Sequence, residues 1–208
     1  MRTLVLASQK GGVGKTTLAG HLAVMAEQSG EGPVALIDTD PQGSLAAWWN
    51  ERKAEAPLFA TVDVDGLAGH LQKLAEAGIQ LAIIDTPPAV TEMIRKVLKS
   101  ADLVLIPTRP SPHDLRAVGT TVGLVEEADK RMVFVINGAA ARAKIAGEAA
   151  VALSQHGTVA PVTIFQRTDF AGSMIDGRTV QELDPHGRSA DEIRALWKYV
   201  STQLRKNG

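Results

Sequence analysis

Two lysines bracket a run of glycines near the start of the chain, in Lys10-Gly11-Gly12-Val13-Gly14-Lys15-Thr16-Thr17. Residues of these types at this spacing hold anions. Glycines let the backbone curl until several N–H groups point at one anion. A helix starting at about Lys15 adds the positive end of its dipole. Lys15 can then reach the outer phosphates of a nucleotide, and the Thr16 hydroxyl can ligate magnesium. Three carboxylates suit the same chemistry. Asp38 and Asp40 lie in Asp38-Thr39-Asp40-Pro41-Gln42, behind an apolar run. A carboxylate there, beside a bound phosphate, can orient or deprotonate an attacking water. Pro41 keeps a helix from engulfing Asp40. The competing reading of this segment is a surface turn in which an Asp caps a helix. Asp85 ends the apolar run Ala82-Ile83-Ile84, where an acid can hold magnesium, usually through water, opposite Thr16.

Such residues need strand tips to stand on. Apolar runs of strand length occur at 4–7, 33–37, 81–84, 103–106, 132–136 and 162–165, with a short edge strand expected at 58–62. They are continuous Val/Ile/Leu stretches rather than alternating ones, which implies burial on both faces and hence a parallel sheet. Helical patterns fall between them, at about 44–53, 64–77, 90–100, 113–127, 143–155 and 189–206. The fold class read from this order is α/β: one doubly wound, mostly parallel sheet flanked by helices, spanning residues 1–208 as a single domain. Ligands should gather at the carboxyl ends of the strands, where the motifs lie.

The bulk numbers narrow the function. The chain has no cysteine, which removes disulfides, thiolate metal sites and iron–sulfur clusters. A net charge of −1 makes the whole molecule no polyanion binder, so any nucleic-acid surface must be local. No apolar run is long enough to span a bilayer and no leader is read at the N-terminus, so a cytoplasmic protein is expected. The five histidines are scattered with no ligand spacing. Trp48 and Trp49 are expected to pack, with exposure of one as a partner contact the alternative. Asn137, at the tip of the run 132–136, has an amide that suits the edge of adenine, or else is a plain turn residue. It is followed by Gly138-Ala139-Ala140, without the Lys and Asp of a guanine-reading motif. Three prolines, 107, 110 and 112, should make a rigid rim after the run 103–106.

The loop departs from G-x-x-x-x-G-K-[ST]: where the first glycine belongs the chain has Gln9, followed by the extra Lys10. This K-G-G-V-G-K-T-T string resembles the deviant Walker A box of the ParA/MinD superfamily of P-loop ATPases. The 38–42 string resembles that family's switch I, and 82–88 its Walker B and switch II. The resemblance implies an ATP hydrolase using ATP and Mg²⁺, slow and partner-stimulated. In it Lys10, Lys15 and Asp40 are catalytic, and Lys10 reaches the nucleotide of the other subunit in an ATP-dependent homodimer. Gly11, Gly12, Val13, Gly14, Lys15, Thr16, Thr17, Asn137 and Arg167 bind nucleotide. Thr16, Asp38 and Asp85 serve the metal. It also implies nonspecific DNA binding through basic residues of the last quarter, with Arg178, Arg188, Arg194, Lys198 and Arg205 as candidates. From 187 to 208 five basic residues face two acidic ones, but from 166 onward the count is seven to six, so a plain solvated helix face competes closely. A ParB-like or cargo-adaptor partner, nucleoid association with ATP, and no N-terminal helix-turn-helix domain complete the picture. Two alternatives remain. A MinD-like membrane-associated ATPase would need a free amphipathic tail, whereas the stripe Ile193, Leu196, Trp197, Val200 and Leu204 is expected to cover the sheet, so no stable membrane association is expected. A metabolic P-loop ligase would have no need of Lys10.

Overall fold

The structure is a computed structural model that describes residues 1–88, 92–141 and 144–206. Its strands are β1 (Arg2–Leu6), β2 (Val34–Asp38), β3 (Leu58–Phe59), β4 (Leu81–Asp85), β5 (Leu103–Thr108), β6 (Met132–Ala139) and β7 (Thr158–Phe165). They form one sheet in the order β3-β2-β4-β1-β5-β6-β7, and every pairing is parallel. The order reverses direction on either side of β1, the geometry that opens a crevice at the strand tips. Register sets two of the three acids: Leu6 lies opposite Asp85, and Asp85 opposite Asp38.

The continuous apolar runs split their side chains between two cores. Leu4, Leu6, Leu36 and Ile83 face one; Val5, Ile37, Ala82 and Ile84 face the other. The first is covered by α1 (Lys15–Gln28), α2 (Ser44–Asn50) and the long last helix α9 (Arg188–Arg205). The second is covered by α3 (Leu67–Glu76), α4 (Glu92–Lys99), α5 (Pro112–Glu127) and α6 (Ile145–Ser154). The stripe Ile193, Leu196, Trp197, Val200 and Leu204 of α9 is buried in the first core, as expected. Among the described residues no helix is long and apolar enough to cross a membrane.

Boundaries differ from expectation where local chemistry intervenes. The edge strand β3 keeps two of the five expected residues, and Leu58 is half exposed. β7 starts four residues before the expected Val162 and contains Pro161. Proline cannot donate to a ladder, and the β6–β7 register slips there; an edge strand tolerates both. The expected rim of three prolines does not form: Pro107 lies inside β5 opposite Val135 and Pro112 is already the first residue of α5, capped by Ser111, which leaves Pro110 alone between them. The expected helix starts at Val90 and Ala143 lie outside the described residues. Two short helices were not foreseen, α7 (Thr168–Ser173) and α8 (Val180–Leu183), joined through a 3-10 turn at 174–176.

Candidate functional site

The glycine loop runs from the end of β1 to the start of α1. Gly12 (φ 72°) and Gly14 (φ 91°) hold left-handed conformations. Gly14 is required twice over, because a Cβ there would lie 2.3 Å from Asn137 Nδ2. That same amide donates to the Val13 carbonyl at 2.6 Å and braces the loop from β6. No side chain caps α1 and its first turn holds no acid. Its leading N–H groups are therefore free for an anion. Lys15 is almost fully buried, with Nζ 3.5 Å from the Lys10 carbonyl. Burial lowers its pKa, and Asp85 and Asp40 offset part of that. Lys10 is exposed, and among the described residues its ammonium has no ion-pair partner.

The acids stand opposite. The Thr16 hydroxyl donates to Asp85 Oδ2 at 2.5 Å, and the Thr86 N–H donates to Asp85 Oδ1 at 3.0 Å. Asp85 is buried, which pushes its pKa up to about 7; the neighbouring Asp38 adds to the rise, while Thr16, Lys15 and Thr86 work against it. A buried carboxylate touching a hydroxyl is a hard-oxygen pair short of positive charge, and Mg²⁺ fits it. Among the described residues no three His, Cys, Asp or Glu gather as a metal cage. Mg²⁺ keeps waters and phosphate oxygens as its other ligands, so a two-residue set is enough. Asp38 does something else in this structure. Its Oδ2 accepts from the Leu45 and Ala46 N–H groups at 3.0 and 3.1 Å, and its Oδ1 from the Asp40 N–H at 3.0 Å. It caps α2 while Asp40, two residues on, lines the cleft. The capping reading of the 38–42 segment is realised by Asp38, which leaves Asp40 as the acid that faces the cleft.

The cleft has a volume of about 800 Å³. Gly11, Gly12, Gly14 to Thr17, Asp40 and Pro88 line the loop end, with Asn137 set against the loop; Gln166, Arg167, Phe170 and Met174 line the other. Arg167 is held there by a fork onto Glu192 (2.6 and 3.1 Å) and lies over the Phe165 ring.

The CobQ/CobB/MinD/ParA nucleotide binding domain matches residues 4–180. The chain belongs to this family. It is 31% identical to the "Maintenance of carboxysome distribution protein A" of Halothiobacillus neapolitanus over 95% of each chain. Among solved structures it is similar to an ATP complex of Cyanothece McdA (TM-score 0.76, 21% identity, 98% of this chain and 96% of that one). It is also similar to MinD from Pyrococcus horikoshii complexed with Mg-ADP (TM-score 0.82, 15% identity, 100% and 98%). At these identities the two structures speak for the fold alone: the seven-stranded parallel sheet of ParA/MinD P-loop proteins, as expected.

Membership places the chain among nucleotide-binding ATPases. Sequence reasoning brought the loop, Asp40, Asp85, Asn137 and Arg167 to one cleft; the structure lines the cleft with loop residues, Asp40, Asn137 and Arg167, and sets Asp85 buried behind Thr16. It missed Phe170, Ala171 and Met174, whose short helix lacks a periodic signal, and Trp48, which lines the cleft while its Nε1 donates to the Arg178 carbonyl at 3.1 Å. Trp49 packs too, on Phe59. The basic candidates lie elsewhere. Arg188, Arg194, Lys198 and Arg205 share the exposed stripe of α9, and Arg178 is exposed before α8. Arg178 pairs with Asp176, Arg194 with Asp191, and Arg205 with Glu31.

Proposed function

We propose that this ParA/MinD-family ATPase forms an ATP-dependent sandwich dimer, binds DNA without sequence preference, and is switched off by partner-stimulated hydrolysis, so as to position a cargo. The observation that carries the reading is the pair of lysines on one loop. Lys15 is buried against the acids, which suits the phosphates of its own subunit's nucleotide. Lys10 is exposed at the same loop, unpaired among the described residues, which suits a nucleotide bound by a second copy. A cation supplied in trans to a transferred phosphoryl group is worth about 10³–10⁵ in rate in well-studied GTPases, so hydrolysis would depend on dimerisation.

In this reading Thr16 and Asp85 hold Mg²⁺, which neutralises charge on the phosphates when bound, and Asp38 supports them by holding Asp40 in place. Asp40 orients the attacking water. The loop residues Gly11 to Thr17 cradle the phosphates, and Asn137 and Arg167 border the adenine. The exposed stripe of α9, with Arg178, meets DNA phosphates and places the ATP-bound dimer on the nucleoid. The adaptor is ParB-like or cargo-specific. Likeness over nearly its whole length to a carboxysome-distribution protein supports a protein assembly as cargo.

The test is mass measurement and DNA mobility shift with ATP, ADP and no nucleotide. Wild type should dimerise and shift DNA with ATP only, and Lys10→Ala should do neither. A Lys10→Ala chain that dimerises and shifts DNA like wild type defeats the reading.

A further inference from the structure

The base end of the cleft is fastened to the hydrolysis end through one buried arginine. Arg52 follows α2, the helix that begins four residues after Asp40 and is capped by Asp38. Its side chain is 2% exposed. One guanidinium nitrogen donates to the Gly177 carbonyl at 2.6 Å and to Glu182 at 3.1 Å. The other donates to Glu182 at 2.8 Å and to the Ala56 carbonyl at 2.9 Å. The guanidinium also lies 5.0 Å from the centre of the Trp48 ring, and Trp48 donates to the Arg178 carbonyl. Glu182 in turn accepts from both the N–H and the hydroxyl of Thr179, which closes the capping box of α8. Burial pushes the Glu182 carboxyl up, but Arg52 and Thr179 outweigh it and hold the group below its ordinary range. Gly177 (φ 75°) lets the two segments approach backbone to backbone, since a Cβ there would clash with the main chain of Glu51 and Arg52. The segment so held, 170–183, supplies Phe170, Ala171 and Met174 to the cleft wall.

We infer that Arg52 and Glu182 form a latch that makes the switch I helix and the base-side wall open as one unit, and so set how fast nucleotide leaves. Neither residue lines the cleft; both are positioning residues. A forked, charge-assisted pair is the contact type strong enough to join two short elements that would otherwise fray independently. The coupling runs from Asp40 through α2 and Arg52 to Met174, so a displacement of switch I would loosen the wall. The inference rests on the nucleotide-binding reading of the cleft only for its second half, the control of release.

Two measurements separate the halves. In native-state hydrogen exchange of the nucleotide-free chain, amides of 44–52 and 174–183 should open with a common free energy. In the double variant Arg52→Gln, Glu182→Gln, which removes both charges and strands neither, the two segments should open separately. Release of a fluorescent ADP analogue should then be roughly tenfold faster than from wild type, the scale of one lost charge-assisted hydrogen bond. Arg52→Lys should not restore it, because one ammonium cannot span the fork and two carbonyls. A merely structural role would lower stability and leave the release rate of the folded fraction unchanged, and that result overturns the latch. Independent opening of the two segments in wild type overturns it as well. If wild type binds no nucleotide yet the segments open together, the latch stands and the nucleotide reading of the cleft falls.

Discussion

The two ends of the cleft are built by opposite means. The phosphate end is made of backbone and strand tips: two left-handed glycines, an uncapped helix start, and acids set by sheet register. The base end is made of two short helices and a turn held in place by side chains. His21 of α1 accepts from the Val180 N–H through Nε2 (3.2 Å), and its own carbonyl accepts from Gln181 (2.7 Å). Trp48 and Arg52 hold Arg178, Gly177 and Glu182. A local, repeated geometry suits a ligand part that never varies, the phosphate. A wall tied by side chains can be loosened, which suits the end from which the nucleotide must leave. Changes at the first end should therefore hit chemistry, and changes at the second should hit stability and nucleotide release.

The largest expected effect tests the first half of that contrast. Asp40→Ala should lower the rate of phosphate release about 10²–10⁴-fold, the range of a lost general base or water-orienting group. Nucleotide affinity and unfolding midpoint should stay close to wild type, because among the described residues the Asp40 carboxylate accepts a single hydrogen bond, from the Gln42 N–H. Equal loss of binding and rate would mean that Asp40 holds the ligand rather than the water.

The base end should respond through His21. The ring is fully buried; its Nδ1 donates to the Thr17 carbonyl at 2.7 Å, and Nε2 accepts from Val180. Burial first, and then the charge of Arg52, lower its pKa to about 4, against the Thr17 bond and Glu182, which raise it. Between pH 6.5 and 4 the unfolded chain thus binds the extra proton and the folded chain refuses it. The stability from this group is complete above about pH 6.5, declines as pH falls, and is fully lost below about 4, a change of ~3 kcal/mol at 1.36 kcal/mol per unit. Urea unfolding at pH 7.5, 5.5 and 4.5 should show it, and His21→Gln should flatten the profile over that interval. An unaltered slope in the variant would assign the acid sensitivity to other groups.

The same contrast explains what was legible in the sequence. The glycine loop and the strand-end acids are contiguous strings whose chemistry follows from order alone. Parallel strands announce themselves because burial on both faces forces continuous apolar runs. The base-side wall leaves no such trace. Its bonds join residues 125 to 160 positions apart, as from Arg52 to Gly177 and from His21 to Gln181. Helices as short as α7 and α8 have no period to detect. For the 38–42 segment the sequence offers both a cleft acid and a helix cap; that Asp38 is the one whose oxygens cap α2 depends on where the chain turns after Gly43 (φ 64°). His21 likewise reads as one of five scattered histidines until the C-terminal segment is folded over it.

Gly14→Ala sharpens the comparison with a smaller effect. The φ of 91° and the clash with Asn137 Nδ2 together demand that the loop shift. Strain of about 1–3 kcal/mol at such a site would weaken nucleotide binding roughly 5- to 150-fold. Calorimetric titration with an ATP analogue would read this, and the His21 pH profile should be unchanged, because it belongs to the other end. A variant that instead shifted the pH profile would mean that the two ends are not separate structures.

The smallest effects are expected on α9, where stability and function should part completely. Arg188, Arg194 and Lys198 are exposed on α9, and among the described residues Arg194 is engaged only by Asp191, one turn earlier, and by the Pro185 carbonyl. Exposed ion pairs add little, so alanine at any of the three should leave stability within ~0.5 kcal/mol of wild type. Phosphate contacts are read by salt, not by sequence. If this face meets DNA, each alanine should lower the slope of log affinity against log salt by about 1, equally on unrelated duplexes. Arg205 provides an internal contrast, since its partner Glu31 also pairs with Arg2 and holds the arginine against the body of the protein. Its loss should move the slope less than the loss of Lys198, which has no such tether among the described residues. A slope that ignores all four substitutions would make α9 a solvated face, with the DNA surface to be sought elsewhere.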